Sequence, residues 1–364
     1  MVLAQVETPA LVLDLDVFER NLAVMETELA GTGVRLRAHA KAHKCVEIAK
    51  RQIAAGAVGV CCQKVSEAVA MVEGGIGNVL VSNEIVSSKK LASLCGLARQ
   101  AEIAVCCDNS DVVPLLSQAA LGAGVELSVL VEIDVGGGRC GVAPGDAAAV
   151  LAEQIDGAGG LKFAGLQAYF GSAQHRRTFE EREQASSKTV EGVRLTKEAF
   201  RKVGLDRDWV TGGGTGSYPF ERDSGLFTEV QAGSYAFLDA DYARILDGGG
   251  KPTATFGHSL FLLSTVISAN GTDRAVLDAG HKAHSNDSGP AQVFGMSGLE
   301  IAGQADEHMV VAIDADGPRL RVGDQIHLIP GHVDPTFNLH DWLVCVRNDV
   351  VEDVWPISAR GPGY

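Results

Sequence analysis

Between residues 34 and 233 short apolar runs alternate with segments long enough to be helices. Eight runs can be counted, over residues 34–36, 58–62, 79–81, 103–107, 127–133, 163–168, 209–210 and 229–232. Such runs are too short for a buried helix and fit strands covered on both faces. Parallel pairing needs a long connection, so strands joined through helix-length segments are read as parallel. Eight of them in succession describe a (β/α)8 barrel, which takes about 250 residues.

Nearly every run ends in polar, ionisable or glycine residues, and the βα loops at strand C-termini build the active site of such a barrel. The first run leads into Arg37-Ala38-His39-Ala40-Lys41-Ala42-His43-Lys44 and the second into Gln63. The third leads into Ser82-Asn83-Glu84, the fourth into Asp108-Asn109, the fifth into Asp134 and Arg139, and the sixth into Tyr169. A Schiff-base lysine needs a dry, positioned amine, which the end of a barrel strand supplies. On strand alternation Lys41 shares a face with His39, whereas Lys44 lies further along, so Lys41 is the better nucleophile. The competing reading is a surface cluster of basic residues at a loop start.

The last two runs end in Thr211-Gly212-Gly213-Gly214-Thr215-Gly216 and Gly233-Ser234-Tyr235. Glycines let backbone N–H groups approach phosphate oxygens, and hydroxyls add donors. Thr211, Gly213, Gly214, Thr215, Gly233 and Ser234 are therefore candidate phosphate ligands; the alternative is two tight turns. A lysine opposite a phosphate cradle points to pyridoxal phosphate. Gln63 and Tyr169 are counted with its binding residues. Arg139 is a cation for a phenolate or carboxylate, or a surface ion pair. His175 is a candidate general base, or an exposed loop histidine.

Asp247-Gly248-Gly249-Gly250-Lys251-Pro252 breaks the pattern. Beyond it, strand candidates crowd together at 260–267, 275–277, 310–313, 325–329, 342–346 and 350–355, with a hairpin turn at Arg347-Asn348-Asp349. A strand at 11–15 lies outside the eightfold pattern. The expected fold is thus α/β: a TIM-type barrel over residues 17–248, and an all-β domain formed by 1–16 and 249–364. In the latter, His332 and Asp334 lie two residues apart in a Pro-Gly turn, a spacing suited to a divalent metal such as Mg, Mn or Zn with open positions. His281, His284, His340 and Asp341 compete for that role.

The net charge of −15 repels a phosphate backbone, which argues against nucleic-acid binding. No stretch approaches the roughly 18 apolar residues of a membrane helix, and the first residues lack the pattern of a signal peptide. Eight cysteines without a CxxC spacing suit reduced thiols in the cytoplasm rather than disulfides or zinc.

The chain resembles the fold-type III pyridoxal-phosphate enzymes, and within them the metal-dependent D-threonine aldolase and 3-hydroxyaspartate aldolase group. The resemblance runs from Thr8-Pro9-Ala10 to the tail Gly361-Pro362-Gly363-Tyr364. Its most specific segments are Arg37 to Lys44, Val60-Cys61-Cys62-Gln63-Lys64, Arg139-Cys140-Gly141-Val142, Asp239-Ala240-Asp241-Tyr242 and His332-Val333-Asp334. It implies a bond from Lys41 to the cofactor, Arg139 near the phenolate oxygen and Tyr169 near the ring. It also implies Mn or Mg on His332 and Asp334, His175 as the base, and a homodimer. The implied activity is that of a lyase. It is retro-aldol cleavage of a D-3-hydroxy amino acid: 3-hydroxy-D-aspartate to glycine and glyoxylate, or D-threonine to glycine and acetaldehyde. A D-serine or D-threo-3-hydroxyaspartate dehydratase on the same fold is the nearest rival. Those enzymes resemble a His-x-Cys pair, so Asp334 favours the aldolase. A non-catalytic pyridoxal-phosphate-binding protein would lack the β-domain. A distal substrate carboxylate would need a cation, since burying it unpaired is costly. Arg176, Arg177, His281, Lys282 and Arg360 are candidates, and the sequence does not choose among them.

Overall fold

The computed structural model describes residues 1–364. The eight apolar runs form the strands Arg35–Leu36 with Ala38–His39, Val60–Cys62, Asn78–Glu84, Glu102–Cys107, Leu127–Glu132, Leu161–Ala168, Trp209–Gly212 and Glu229–Val230, all parallel. The first strand is split at Arg37. Its first half pairs with the eighth strand and its second half with the second strand, which closes the barrel. Alternation sorts the side chains: Cys61, Leu80, Ala104, Cys106 and Leu130 fill a small interior cluster. Val60, Val79, Val105 and Val129 face outward into the main core beneath the helices.

Arg37 is a correction. The sequence groups it with the functional strand end, but the structure turns it to the opposite, N-terminal mouth. Its guanidinium pairs with both oxygens of Glu229 (3.1 and 3.0 Å), donates to Asn78 Oδ1 (2.5 Å) and lies 4.9 Å from the Trp209 ring centre. Glu229 also accepts from Trp209 Nε1. These partners all stand at strand starts, so Arg37 seals the barrel seam rather than serving the site.

The second sheet has nine strands: Ala10–Asp14, Leu260–Ser268, Arg274–Leu277, Gln292–Val293, Leu299–Gln304, Met309–Ile313, Gln325–Ile329, Trp342–Arg347 and Val350–Pro356. Ala10–Asp14 runs antiparallel to Leu260–Ser268 and parallel to Trp342–Arg347, which threads the N-terminus into the C-terminal sheet. The strand expected at 11–15 stops one residue early. Asp14 caps the helix Leu15–Leu29 by accepting from Val17 N–H at 3.0 Å, so residues 16 and 17 sit in its first turn. Asn348 and Asp349 both have positive φ, 49° and 61°, as a two-residue hairpin turn demands. One departure from an all-β domain is the single-turn helix Val333–Phe337, which carries Asp334 and directly follows His332.

Candidate active site

A turn of 3-10 helix, Ala40–Ala42, follows the first barrel strand and places Lys41 at the mouth. Its amine donates to Asp334 Oδ2 at 2.5 Å. Partial burial would lower the amine's pKa, but the facing Asp334 outweighs it and the amine is held protonated. Burial likewise pushes Asp334 up, while Lys41 and His332 outweigh it and hold the carboxyl at about 2.

The loop after strand eight builds the other wall. Fully buried Asp239 accepts from Val333 N–H (3.0 Å) and Tyr242 N–H (2.9 Å), while Ala240 N–H donates to Pro330 O (2.9 Å). His332 precedes the short helix and Asp334 sits in its first turn. His332 Nδ1 meets Asp287 Oδ2 at 2.8 Å; a carboxylate only accepts, so Nδ1 is the donor and Nε2 is left free of that contact. Asp334 Oδ1 is buried with no partner.

His175 is fixed in the same way: its Nδ1 meets Asp241 Oδ2 at 2.6 Å. Its ring centre lies 6.5 Å from that of His332 and 5.3 Å from that of Tyr242. Asp241 Oδ1 also accepts from Arg177 (2.5 Å) and Arg244 (2.6 Å). Burial would raise the Asp241 carboxyl, but His175 and Arg177 hold it far below the usual range.

The glycine turns are tight where a phosphate ligand needs them to be. A Cβ on Gly214 would stand 2.6 Å from Gln174 Oε1 and 3.2 Å from the Tyr169 hydroxyl; one on Gly233 would stand 2.8 Å from His39 O. Gly213 has φ +70°. Thr215 Oγ1 accepts from Tyr235 N–H (3.0 Å) and ties the two turns together, with Ser234 nearly buried beside it. Thr211 lies beneath them, fully buried, its hydroxyl accepting from Gln231 Nε2 at 2.9 Å. Gln174 escaped the sequence reading. Its Oε1 accepts from the N–H groups of Gly216 (3.0 Å) and Ser217 (3.1 Å), and its Nε2 donates to Ser217 Oγ (2.7 Å).

Gln63 Nε2 donates to Ser82 O (3.1 Å) beside the buried His39. Arg139 is exposed and unpaired on a loop whose turn is set by Asp134 Oδ1 accepting from Gly136, Gly137 and Gly138 (2.8, 2.9 and 3.1 Å). Beneath that loop Glu84, Asp108 and Cys140 bring ligand-type atoms within 4.8 Å of one another. Burial and the neighbouring Glu84 push Glu132 up to about 8.

The competitors are occupied elsewhere. Lys44, at φ +53°, donates to Asn338 Oδ1 and Gly361 O (both 2.8 Å) and anchors the C-terminal tail. His340 Nε2 meets Ala283 O (2.8 Å), His284 Nε2 accepts from Gly331 N–H (2.9 Å), and Asp341 pairs with Arg360. His281 is exposed.

These residues fit pyridoxal phosphate, through one amine at the mouth and a glycine cradle with no room for a Cβ. The orphaned Asp334 oxygen and the His332 nitrogen form an N/O donor pair that fits a divalent cation.

A model of the alanine racemase N-terminal domain matches residues 13–241, and one of a serine dehydratase domain matches 259–346. The chain is 51% identical over 360 residues to a D-threonine aldolase of Arthrobacter sp, covering 99% of this chain and 94% of that one. It is 46% identical over 365 residues to a 3-hydroxy-D-aspartate aldolase of Paracoccus denitrificans (strain Pd 1222), with the same coverage. A solved D-threonine aldolase from Filomicrobium marinum superposes with a TM-score of 0.95 at 46% identity, over 99% of this chain and 97% of that one. With both domains matched along nearly its full length, the chain belongs to the D-threonine aldolase and 3-hydroxy-D-aspartate aldolase family, on the alanine racemase fold.

Proposed function

We propose that this chain is a lyase that cleaves D-3-hydroxy amino acids by a retro-aldol reaction, with pyridoxal phosphate and a divalent cation. The observation that carries the reading is the contact of Lys41 with Asp334, which sets a barrel lysine against the donor pair of the second domain. Lys41 would bond the cofactor, Gly213, Gly214, Thr215, Gly233 and Ser234 would hold its phosphate, and Arg139 and Tyr169 would meet its ring. His332 and Asp334 would hold Mn or Mg. When bound, the cofactor supplies an electron sink for the carbanion left at Cα, and the cation a Lewis acid at the β-hydroxyl.

The protein's own residues do the rest. Asp241 fixes the Nδ1–H form of His175, so Nε2 is the atom that accepts the β-hydroxyl proton. With that proton lost, the β-oxygen becomes the aldehyde C=O as Cα–Cβ breaks, and return of a proton to Cα gives glycine. Asp287 orients His332. Eight unpaired cysteines, seven of them buried, suit a reducing cytoplasm; the family resemblance supports a homodimer with a barrel over 17–248 and a β-domain of 1–16 and 249–364.

Product analysis with pyridoxal phosphate and Mn tests this. Glycine with glyoxylate from 3-hydroxy-D-aspartate, or glycine with acetaldehyde from D-threonine, is the expected result; oxaloacetate with ammonia would replace the aldolase by a dehydratase. His332→Ala should keep the visible absorbance of lysine-bound cofactor and lose turnover, and unchanged turnover would refute the metal assignment.

A further inference from the structure

We propose that Arg177, backed by Arg244, binds the second carboxylate of a dicarboxylic substrate, so that 3-hydroxy-D-aspartate is preferred to D-threonine. The inference rests on the aldolase reading and adds to it the residue that chooses the substrate.

Five cations were open from the sequence, and four are spent or remote. Arg176 lies over the Phe170 ring, 6.0 Å from its centre. Lys282 pairs with Glu307 and Arg360 with Asp341, both at the surface. His281 is exposed and follows a strand of the second sheet. Arg177 alone shares a partner with the base: Asp241 accepts from His175 on one oxygen and from Arg177 on the other.

Charge and donor count then favour an anion. Two guanidinium groups, Arg177 and Arg244, share the single carboxylate of Asp241, which leaves a surplus positive charge. The other acids described on this wall are engaged: Asp287 with His332, and Asp239 with the N–H groups of Val333 and Tyr242. Arg177 spends one N–H on Asp241 Oδ1 and one on Asp241 O (2.8 Å), and a guanidinium has five. The remaining donors belong to a side chain that is 39% exposed. The β-carbon that carries the hydroxyl addressed by His175 carries its other substituent one bond away. A carboxylate there reaches charge-assisted donors; the methyl of D-threonine gains nothing from them. The Arg177 backbone is fixed independently, its carbonyl accepting from Leu246 N–H (2.8 Å) and Arg182 Nη1 (3.0 Å).

The test is the ratio of kcat/KM for 3-hydroxy-D-aspartate to that for D-threonine, in the cofactor-loaded enzyme and in Arg177→Gln. The ratio should favour the dicarboxylate in the wild type and fall by about 10- to 100-fold in the variant, chiefly through KM, with partial recovery in Arg177→Lys. An equal loss on both substrates would assign Arg177 to the support of Asp241 and His175 and overturn the inference. Should Arg177→Gln not fold, inhibition of the wild type decides: D-aspartate should bind at least tenfold more tightly than D-alanine, and equal inhibition refutes a carboxylate site. A wild type that cleaves D-threonine and rejects 3-hydroxy-D-aspartate defeats this inference alone, whereas one that cleaves neither defeats the aldolase reading.

Discussion

Replacing Arg37 by Met should destabilise the protein at the mouth remote from catalysis. Glu229, 1% exposed, would lose both Arg37 hydrogen bonds and keep Trp209 Nε1 and the largely exposed Arg35 guanidinium at 3.9 Å, which screens its charge only weakly. Removing one partner of a buried ion pair costs about 3–5 kcal/mol, because an uncompensated charge is left behind. At about 2.1 cal/mol/K per residue, the unfolding entropy of 364 residues is about 0.76 kcal/mol/K, so Tm should fall by about 4–7 °C. Adding Glu229→Gln removes the stranded charge and leaves an acceptor for Trp209, and should recover all but about 1–2 °C. Calorimetry of the two variants measures this, with kcat below the transition as a control expected to match wild type. A single variant within about 1 °C of wild type, or a double variant no better than the single, would refute the reasoning.

Two further outcomes follow from the geometry. Gly214→Ala pushes a methyl against Gln174 and the Tyr169 hydroxyl, and should weaken pyridoxal phosphate binding at least about tenfold in a fluorescence titration; unaltered affinity would remove Gly214 from the cradle. Glu132 titrates near 4.5 when unfolded and near 8 when folded, so the native state holds its proton across that window. Its stabilising contribution is complete below the unfolded value and is lost progressively as pH rises from 6 to 8. Glu132→Gln should remove that loss in urea titrations at the two pH values, and the same drop in both proteins would acquit Glu132.

The barrel was legible because its strands are buried on both faces and so read as apolar runs with polar ends. Leu299–Gln304 was not: none of its residues is buried, and the register shifts between Ile301 and Gly303. Strand alternation pointed to Lys41 over Lys44, yet the strand ends at His39 and Lys41 stands in the 3-10 turn that follows, while Lys44 has a separate task at the tail. The groups that hold the chemical residues in place left no local signal. Asp239, Asp241, Asp287 and Gln174 are common polar residues, and the contacts that tie them to the site reach 42 to 94 positions along the chain. Arg37 misled because a polar residue next to a strand end does not declare which mouth it faces, and the split in the strand reverses the expectation.

The segment from Asp239 to Asp241 fastens the barrel to the second domain at two points, through Val333 N–H and Pro330 O, and steers His175 with its third residue. Lys41 crosses the same junction to Asp334. The junction therefore works as a thermodynamic ledger shared by both domains. Any ligand that tightens it from the barrel side must raise affinity on the other side by the same factor, because coupling free energy is reciprocal. A lesion at the crossing should then loosen both ligands together, and the two domains should come apart in one cooperative event.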